Sequence, residues 1–294
     1  MFLPLARGGI FEDASGRERA FSNVTPGARY FWVSGKSAEI RDRALAFHPL
    51  AAVDQREGER GSIVYLGRMG GVAIYARAAA SPATNFATLR AVGADIPGPH
   101  ATCFVRAMAL LYWHRESQFC ARCGGQTVAQ NGGWERHCLS CTKVEYPRTD
   151  PAVIVLVTNF EDEVLLAHNV SWRHPYVSVL AGYVEAGESP EQTAVREVKE
   201  EVGLDITGLK YWGSQAWPYP RSLMLGFTAT TAQSAADLRL QKSEIGWAKF
   251  YSRAALAPAA ATGELVLPGN AAIARYMLMD WYGKELPPSP KQWI

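Results

Sequence analysis

The sequence predicts an α/β protein in two parts, a mixed α/β N-terminal domain and a C-terminal domain of strands and helices, with a small metal knuckle between them. Three observations carry this expectation. A chain of 294 residues with 48% hydrophobic content is long enough to bury two separate cores. Four of its five cysteines form two C-x2-C pairs, Cys120/Cys123 and Cys138/Cys141. After them, apolar runs of strand length alternate with one segment of helical periodicity that is rich in glutamate.

The first part, 1–115, opens on β-rich runs. Ser62–Gly67 and Gly71–Ala76 flank a Met-Gly-Gly break and read as a hairpin. From about Pro99 to Glu116, Phe104, Ala107, Met108, Leu111 and Tyr112 recur at helical spacing. That helix leads into the knuckle, 116–145, where fourteen residues separate the thiol pairs. Paired thiols in a reducing compartment argue for zinc rather than disulfides. Four thiolates leave no ligand position for water, so the site is structural, one Zn²⁺ per chain. His137 is a rival ligand to a metal already saturated, and Cys103 reads as a small buried hydrophobe. His114, His168 and His174 are expected to make ordinary hydrogen bonds.

The last part, 146–294, begins on the extended Tyr146-Pro147-Arg148. Ala152–Val157 is a continuous apolar strand, with Glu163–Ala167 as its expected hairpin partner. A helix starts at Ser189-Pro190 and stops at Gly203. Leu223–Thr231 and Gly246–Tyr251 read as strands, Ala254–Thr262 as a plain surface loop, and 271–282 as a closing helix.

Composition excludes some partners. Thirty basic and 28 acidic residues leave a net charge of +2 with no Lys/Arg cluster, so duplex DNA is not an expected ligand. No apolar run reaches the roughly 18 residues that a membrane span needs. The opening Met1–Arg7 has no basic leader or long apolar stretch, which makes the cytoplasm the expected location.

The chemistry concentrates between Gly182 and Gly203. On a helix Glu197, Glu200 and Glu201 share one face, beside an apolar stripe of Ala194, Val198 and Val202. Three crowded carboxylates repel one another unless a cation lies among them, and an oxygen-only ligand set suits Mg²⁺ or Mn²⁺. Taken alone, the acidic face also reads as a solvated helix surface. The full pattern Gly182-x5-Glu188-x7-Arg196-Glu197-Val198-x-Glu200-Glu201-x-Gly203-Leu204 resembles the Nudix box at each of its nine specified positions. The resemblance implies an α/β/α sandwich that hydrolyses a diphosphate linking a nucleoside to another group. It assigns catalytic roles to Glu188, Arg196, Glu197, Glu200 and Glu201. It also assigns metal contacts to Ala181, Glu197, Glu200, Glu201 and, further on, Glu244.

Ser214-Gln215-Ala216-Trp217-Pro218-Tyr219-Pro220-Arg221-Ser222 is similar to the SQPWPFPxS signature of the NADH pyrophosphatases in that family, with Ala216 in place of Pro and Tyr219 in place of Phe. The resemblance places substrate contacts at Gln215 through Ser222, Tyr146, Ala274 and Arg90. It also places one at Tyr183, where relatives have a base-stacking Phe. Gly133 stands where some relatives carry an acidic contact, so none is expected there. The implied substrates are NADH and NAD⁺, and by the same chemistry NAD-capped RNA; a homodimer is implied as well. An ADP-ribose or dinucleoside polyphosphate hydrolase, and a zinc-ribbon regulator with a catalytically silent Nudix domain, are the alternatives. Intact glutamates speak against the silent form.

Overall fold

The computed structural model describes residue 24 and residues 26–287, and the opening Met1–Arg7 read above lies outside them. The chain forms two compact units. The first ends at Thr149 and also takes in Trp217–Arg221; the second comprises Asp150–Ala216 and the chain from Ser222 onward.

In the first unit, strands β1 (Arg29–Ser34), β2 (Ser37–Arg41), β3 (Ala44–Leu45), β4 (His48–Pro49), β5 (Ile63–Met69), β6 (Val72–Ala78) and β7 (Phe86–Thr88) form one sheet, its main path running β3-β2-β1-β6-β5. The expected hairpin is β5–β6, paired antiparallel. Short helix α1 (Gln55–Arg60) links β4 to β5, and short helix α2 (Leu89–Val92) follows β7. Helix α3 (Gly98–Glu116) packs on β5 and β6, burying Cys103, Phe104, Ala107, Met108 and Trp113. Burial pushes the Cys103 thiol up to about 12, as befits a hydrophobe rather than a nucleophile.

The knuckle is a three-stranded sheet of β8 (Thr127–Gln130), β9 (Glu135–Cys138) and β10 (Val144–Glu145). A buried polar network ties it to α3. The Arg136 guanidinium donates to Thr127 Oγ1, the Thr127 carbonyl and His114 Nδ1, each at 2.8 Å. His114 Nε2–H donates in turn to the Gly133 carbonyl at 2.8 Å. A Cβ at Gly133 would overlap Val64 and crowd the His114 ring, so no acidic side chain fits there. Trp134 closes the junction by donating from Nε1 to the Tyr65 carbonyl.

In the second unit, β11 (Asp150–Thr158), β12 (Val164–Asn169), β13 (Leu180–Tyr183), β14 (Thr207–Trp217), β15 (Ser222–Thr230) and β16 (Ile245–Tyr251) form a sheet of order β14-β15-β11-β12-β16, with β13 beside β11. Val153, Val155 and Val157 face helix α4 (Pro190–Val202) through its Ala194, Val198 and Val202. On the other face, Gly226 of β15 lets helix α6 (Ile273–Tyr282) approach through Ile273 and Met277. Helices on both faces make the α/β/α sandwich. They also explain why β11 is apolar throughout rather than alternating.

Two expectations change. β11 pairs in parallel with β15 over nine residues and antiparallel with β13. It meets β12 only at Thr158↔Val164, because β12 runs on to pair with β16. The Ala-rich segment expected as a loop is helix α5 (Arg253–Thr262), which buries Leu256, Ala259 and Ala260. High alanine propensity, the Ser252 cap and the Gly263 stop outweigh Pro258. Ser214–Trp217 continues β14, and the chain turns only after Trp217.

Burial and the neighbouring Arg136 hold His114 down to about 4, so its folded ring stays neutral. The unfolded ring takes up a proton near its ordinary 6.5. The stabilisation is therefore complete above that value and is lost as pH falls towards 4. Urea unfolding at pH 7 and at pH 5 should differ by about 2 kcal/mol more in the wild type than in His114→Gln. Equal pH dependence in the two proteins would remove His114 from this role.

Candidate active site

Helix α4 starts on a reciprocal cap. Ser189 Oγ accepts the Gln192 N–H, and the Gln192 side chain accepts the Ser189 N–H. It ends at Gly203 in the left-handed conformation, φ 77°. Helical spacing then puts Glu197, Glu200 and Glu201 on adjoining positions of one side.

The cation among them is the chain's own Arg196. Its Nε and Nη2 donate to the two oxygens of Glu188, at 2.7 and 2.9 Å. Its Nη1 donates to Glu197 and Glu200, both at 2.9 Å, and Nη2 also reaches the Tyr183 carbonyl at 3.0 Å. Arg196 and Thr193 hold the Glu188 carboxyl down at about 2. Glu188, Glu185 and Gly187 (φ 94°) thereby form a closed loop over the helix start.

Glu201 differs from its neighbours. It is 4% exposed, and its Oε2 has no hydrogen-bond partner among the described residues. Burial, then the charges of Glu197 and Glu244, push its carboxyl up to about 8, against a hydrogen bond from the Ala181 N–H. Burial raises Glu197 as well. A Cβ at Gly182 would overlap the Glu197 carboxylate, so this glycine is required for space and not for a positive φ. Glu244 is exposed and comes from the turn before β16, whose Gln241 N–H bonds the Glu201 carbonyl. Glu201 feels the charges of Glu197 and Glu244, and all three carry only oxygen donors, the kind a hard cation takes; among the described residues only the four knuckle cysteines bring their ligand atoms within 4.8 Å of one another.

Strand alternation separates Tyr183 from this cluster. Gly182 faces α4, and Tyr183 lies on the opposite side of the sheet. Tyr183 is 52% exposed, which excludes core packing, and its hydroxyl lies 3.2 Å from Ser222 Oγ. The Gln215 amide is fully engaged, donating to the Ala271 carbonyl at 2.8 Å and accepting the Ile273 N–H at 2.7 Å. It caps α6, which has no side-chain cap of its own at Ala272. Ala216 is exposed and Ala274 is buried in α6.

In the first unit, Trp217 and Tyr219 stand with ring centroids 5.0 Å apart, and Pro218, Pro220 and Arg221 complete the turn. Arg90 lies over both rings, 4.4 Å from the Tyr219 centroid and 5.7 Å from that of Trp217. Its main-chain N–H donates to the Tyr219 hydroxyl, and its buried Nε has no partner among the described residues. Lys36, which no motif marks, sits 5.8 Å from the Tyr219 centroid. Tyr146 is largely exposed.

The knuckle thiols lie within 4.8 Å of one another, with Cys120–Cys141 at 3.7 Å and Cys123–Cys138 at 3.5 Å. Zn–S bonds of about 2.3 Å imply tetrahedron edges of about 3.8 Å, so the spacing fits a structural zinc ion. N–H groups of Cys141 and Ser140 lower Cys138 to about 6, favouring the thiolate a metal needs. His137 is turned to Glu135 at 3.0 Å.

Residues 148–268 match the NUDIX domain, and residues 115–146 match the NADH pyrophosphatase zinc ribbon domain. A Mycobacterium tuberculosis protein named NAD-capped RNA hydrolase NudC is 36% identical, over 79% of this chain and 79% of its own. A Pseudomonas aeruginosa protein of the same name is 45% identical, over 58% of this chain and 57% of its own.

Replacing Cys120 by Ser should lower zinc content and melting temperature together, since three thiolates bind more weakly and leave the knuckle poorly ordered. Metal analysis should find about one zinc per wild-type chain. A zinc-free wild type with the same melting temperature as the mutant would refute the assignment.

Proposed function

The chain belongs to the Nudix hydrolase family, and from that premise we propose that it hydrolyses the diphosphate of NAD(H) to nicotinamide mononucleotide and AMP, and removes NAD caps from RNA 5′ ends. The observation that carries this reading is the buried Glu201, whose Oε2 has no hydrogen-bond partner among the described residues and whose carboxyl feels the charges of Glu197 and Glu244.

Glu197, Glu200, Glu201 and Glu244, with the Ala181 backbone, are proposed to hold Mg²⁺ or Mn²⁺. A divalent ion there would neutralise diphosphate oxygens and acidify water. Arg196 aligns Glu197 and Glu200 through its Nη1, while Glu188 anchors Arg196. Burial and the charges of Glu197 and Glu244 raise the Glu201 carboxyl, so a divalent ion held by these groups would be what keeps it ionised and able to accept a proton from water near neutral pH.

Tyr183 is proposed to stack on a substrate base from the second unit, where Ala216, Ala274 and the Ser222 backbone make further contacts. Gln215 is proposed to contribute through its backbone, since its amide caps α6. In the first unit, the flat Trp217-Pro218-Tyr219-Pro220-Arg221 turn with Arg90, and separately Tyr146, are proposed as nucleotide contacts. Boundaries near 115 and 145, a cytoplasmic location and a homodimer complete the proposal. No helix among the described residues is long and apolar enough to cross a membrane.

The direct test is incubation with NADH, ADP-ribose and NAD-capped RNA plus Mg²⁺ or Mn²⁺, with the products identified. Glu201→Gln should abolish turnover while preserving the fold; a kcat loss smaller than about tenfold, roughly 1.4 kcal/mol, would remove Glu201 from the mechanism.

Base stacking contributes about 1–3 kcal/mol and acts in ground and transition states alike. Tyr183→Ala should therefore raise KM for NADH roughly ten- to hundredfold, with a smaller change in kcat. An unchanged KM would eliminate the stacking role.

A further inference from the structure

Tyr183 is held at two points. Its carbonyl accepts from Arg196 Nη2 at 3.0 Å, and its hydroxyl lies 3.2 Å from Ser222 Oγ. The strand registers explain the second contact. Tyr183 pairs with Ala152 on one side of β11, and Ser222 pairs with Asp150 on the other. Asp150 and Ala152 are two apart, so Tyr183 and Ser222 project from the same face of the sheet. The tyrosine side chain reaches across the start of β11 to a serine that is itself buried.

A phenyl ring would suffice for stacking. The hydroxyl adds a fixed far end to a ring that is otherwise half exposed. A free aromatic side chain must give up rotamer freedom when it meets a flat ligand, and one already anchored gives up less. Ser222 is the first residue of β15, directly after the Trp-Pro-Tyr-Pro-Arg turn, so its position is set by the β11–β15 ladder and not by that turn.

We propose that the Tyr183–Ser222 hydrogen bond is a latch that presets the Tyr183 ring for the base, making Ser222 a positioning residue for substrate binding. The latch rests on the stacking role of Tyr183 given above.

The test uses the full-length enzyme with Mg²⁺, measuring KM, kcat and melting temperature on NADH. The variants are Tyr183→Phe, Ser222→Ala, their double mutant, Ser222→Thr and Tyr183→Ala. Tyr183→Phe and Ser222→Ala should each raise KM about three- to tenfold, the scale of one immobilised side chain, with kcat and melting temperature little changed. The double mutant should be no worse than either single one, because both remove the same bond. Ser222→Thr, which keeps a hydroxyl, should restore KM. An unchanged KM in Tyr183→Phe, or single effects that multiply in the double mutant, would overturn the latch. If Tyr183→Ala raises KM while Tyr183→Phe does not, stacking stands and the latch alone fails. If neither raises it, both readings fall.

Discussion

The guanidinium of Arg196 is the constraint on which the second unit's chemistry depends. Four carboxylates crowd the same end of the sandwich, and without a fixed counter-charge their repulsion would favour splaying or protonation. Arg196 grips Glu188 with two parallel bonds, a planar geometry that Lys could not reproduce. The same group reaches Glu197, Glu200 and the Tyr183 carbonyl, so one side chain joins the loop before α4, the helix itself and strand β13.

Glu201 shows the opposite solution. It is turned inward, beyond the reach of Arg196, and remains the one buried carboxyl of the group. The apolar contacts of Ala194, Val198 and Val202 hold α4 against the sheet strongly enough to keep that polar atom without a hydrogen-bond partner. Gly182 belongs to the same compromise, since any side chain there would displace Glu197.

The first unit secures its knuckle by a different means. Metal–thiolate bonds order the loops, and the neutral His114 and the Arg136 fork dock them on α3 without placing a second buried charge opposite Arg136. Gly133 is part of that docking: its carbonyl accepts from His114, and its missing side chain leaves room for the ring.

Much of this was legible in one dimension because the signals are local. Capping, helical period and C-x2-C spacing depend on neighbours within a few residues, so α4, α3 and the thiol pairs could be read directly. Arg90 could be suspected only from a loose resemblance, and its place over Tyr219 depends on contacts 129 residues apart in sequence. Strand pairing was beyond local reading for the same reason: β11's parallel partner lies across α4 and β14, and no turn announces it. Burial was equally invisible. Glu200 and Glu201 are adjacent and chemically identical, yet packing exposes one and encloses the other. Gln215 reads in the sequence as a ligand contact, and the sequence gives no sign that its side chain also caps a helix, since the orphan N–H it satisfies belongs to a helix that begins 58 residues later. Sequence determined which groups could do chemistry; the fold decided which were charged, buried or already engaged, because desolvation and hydrogen bonding are properties of surroundings.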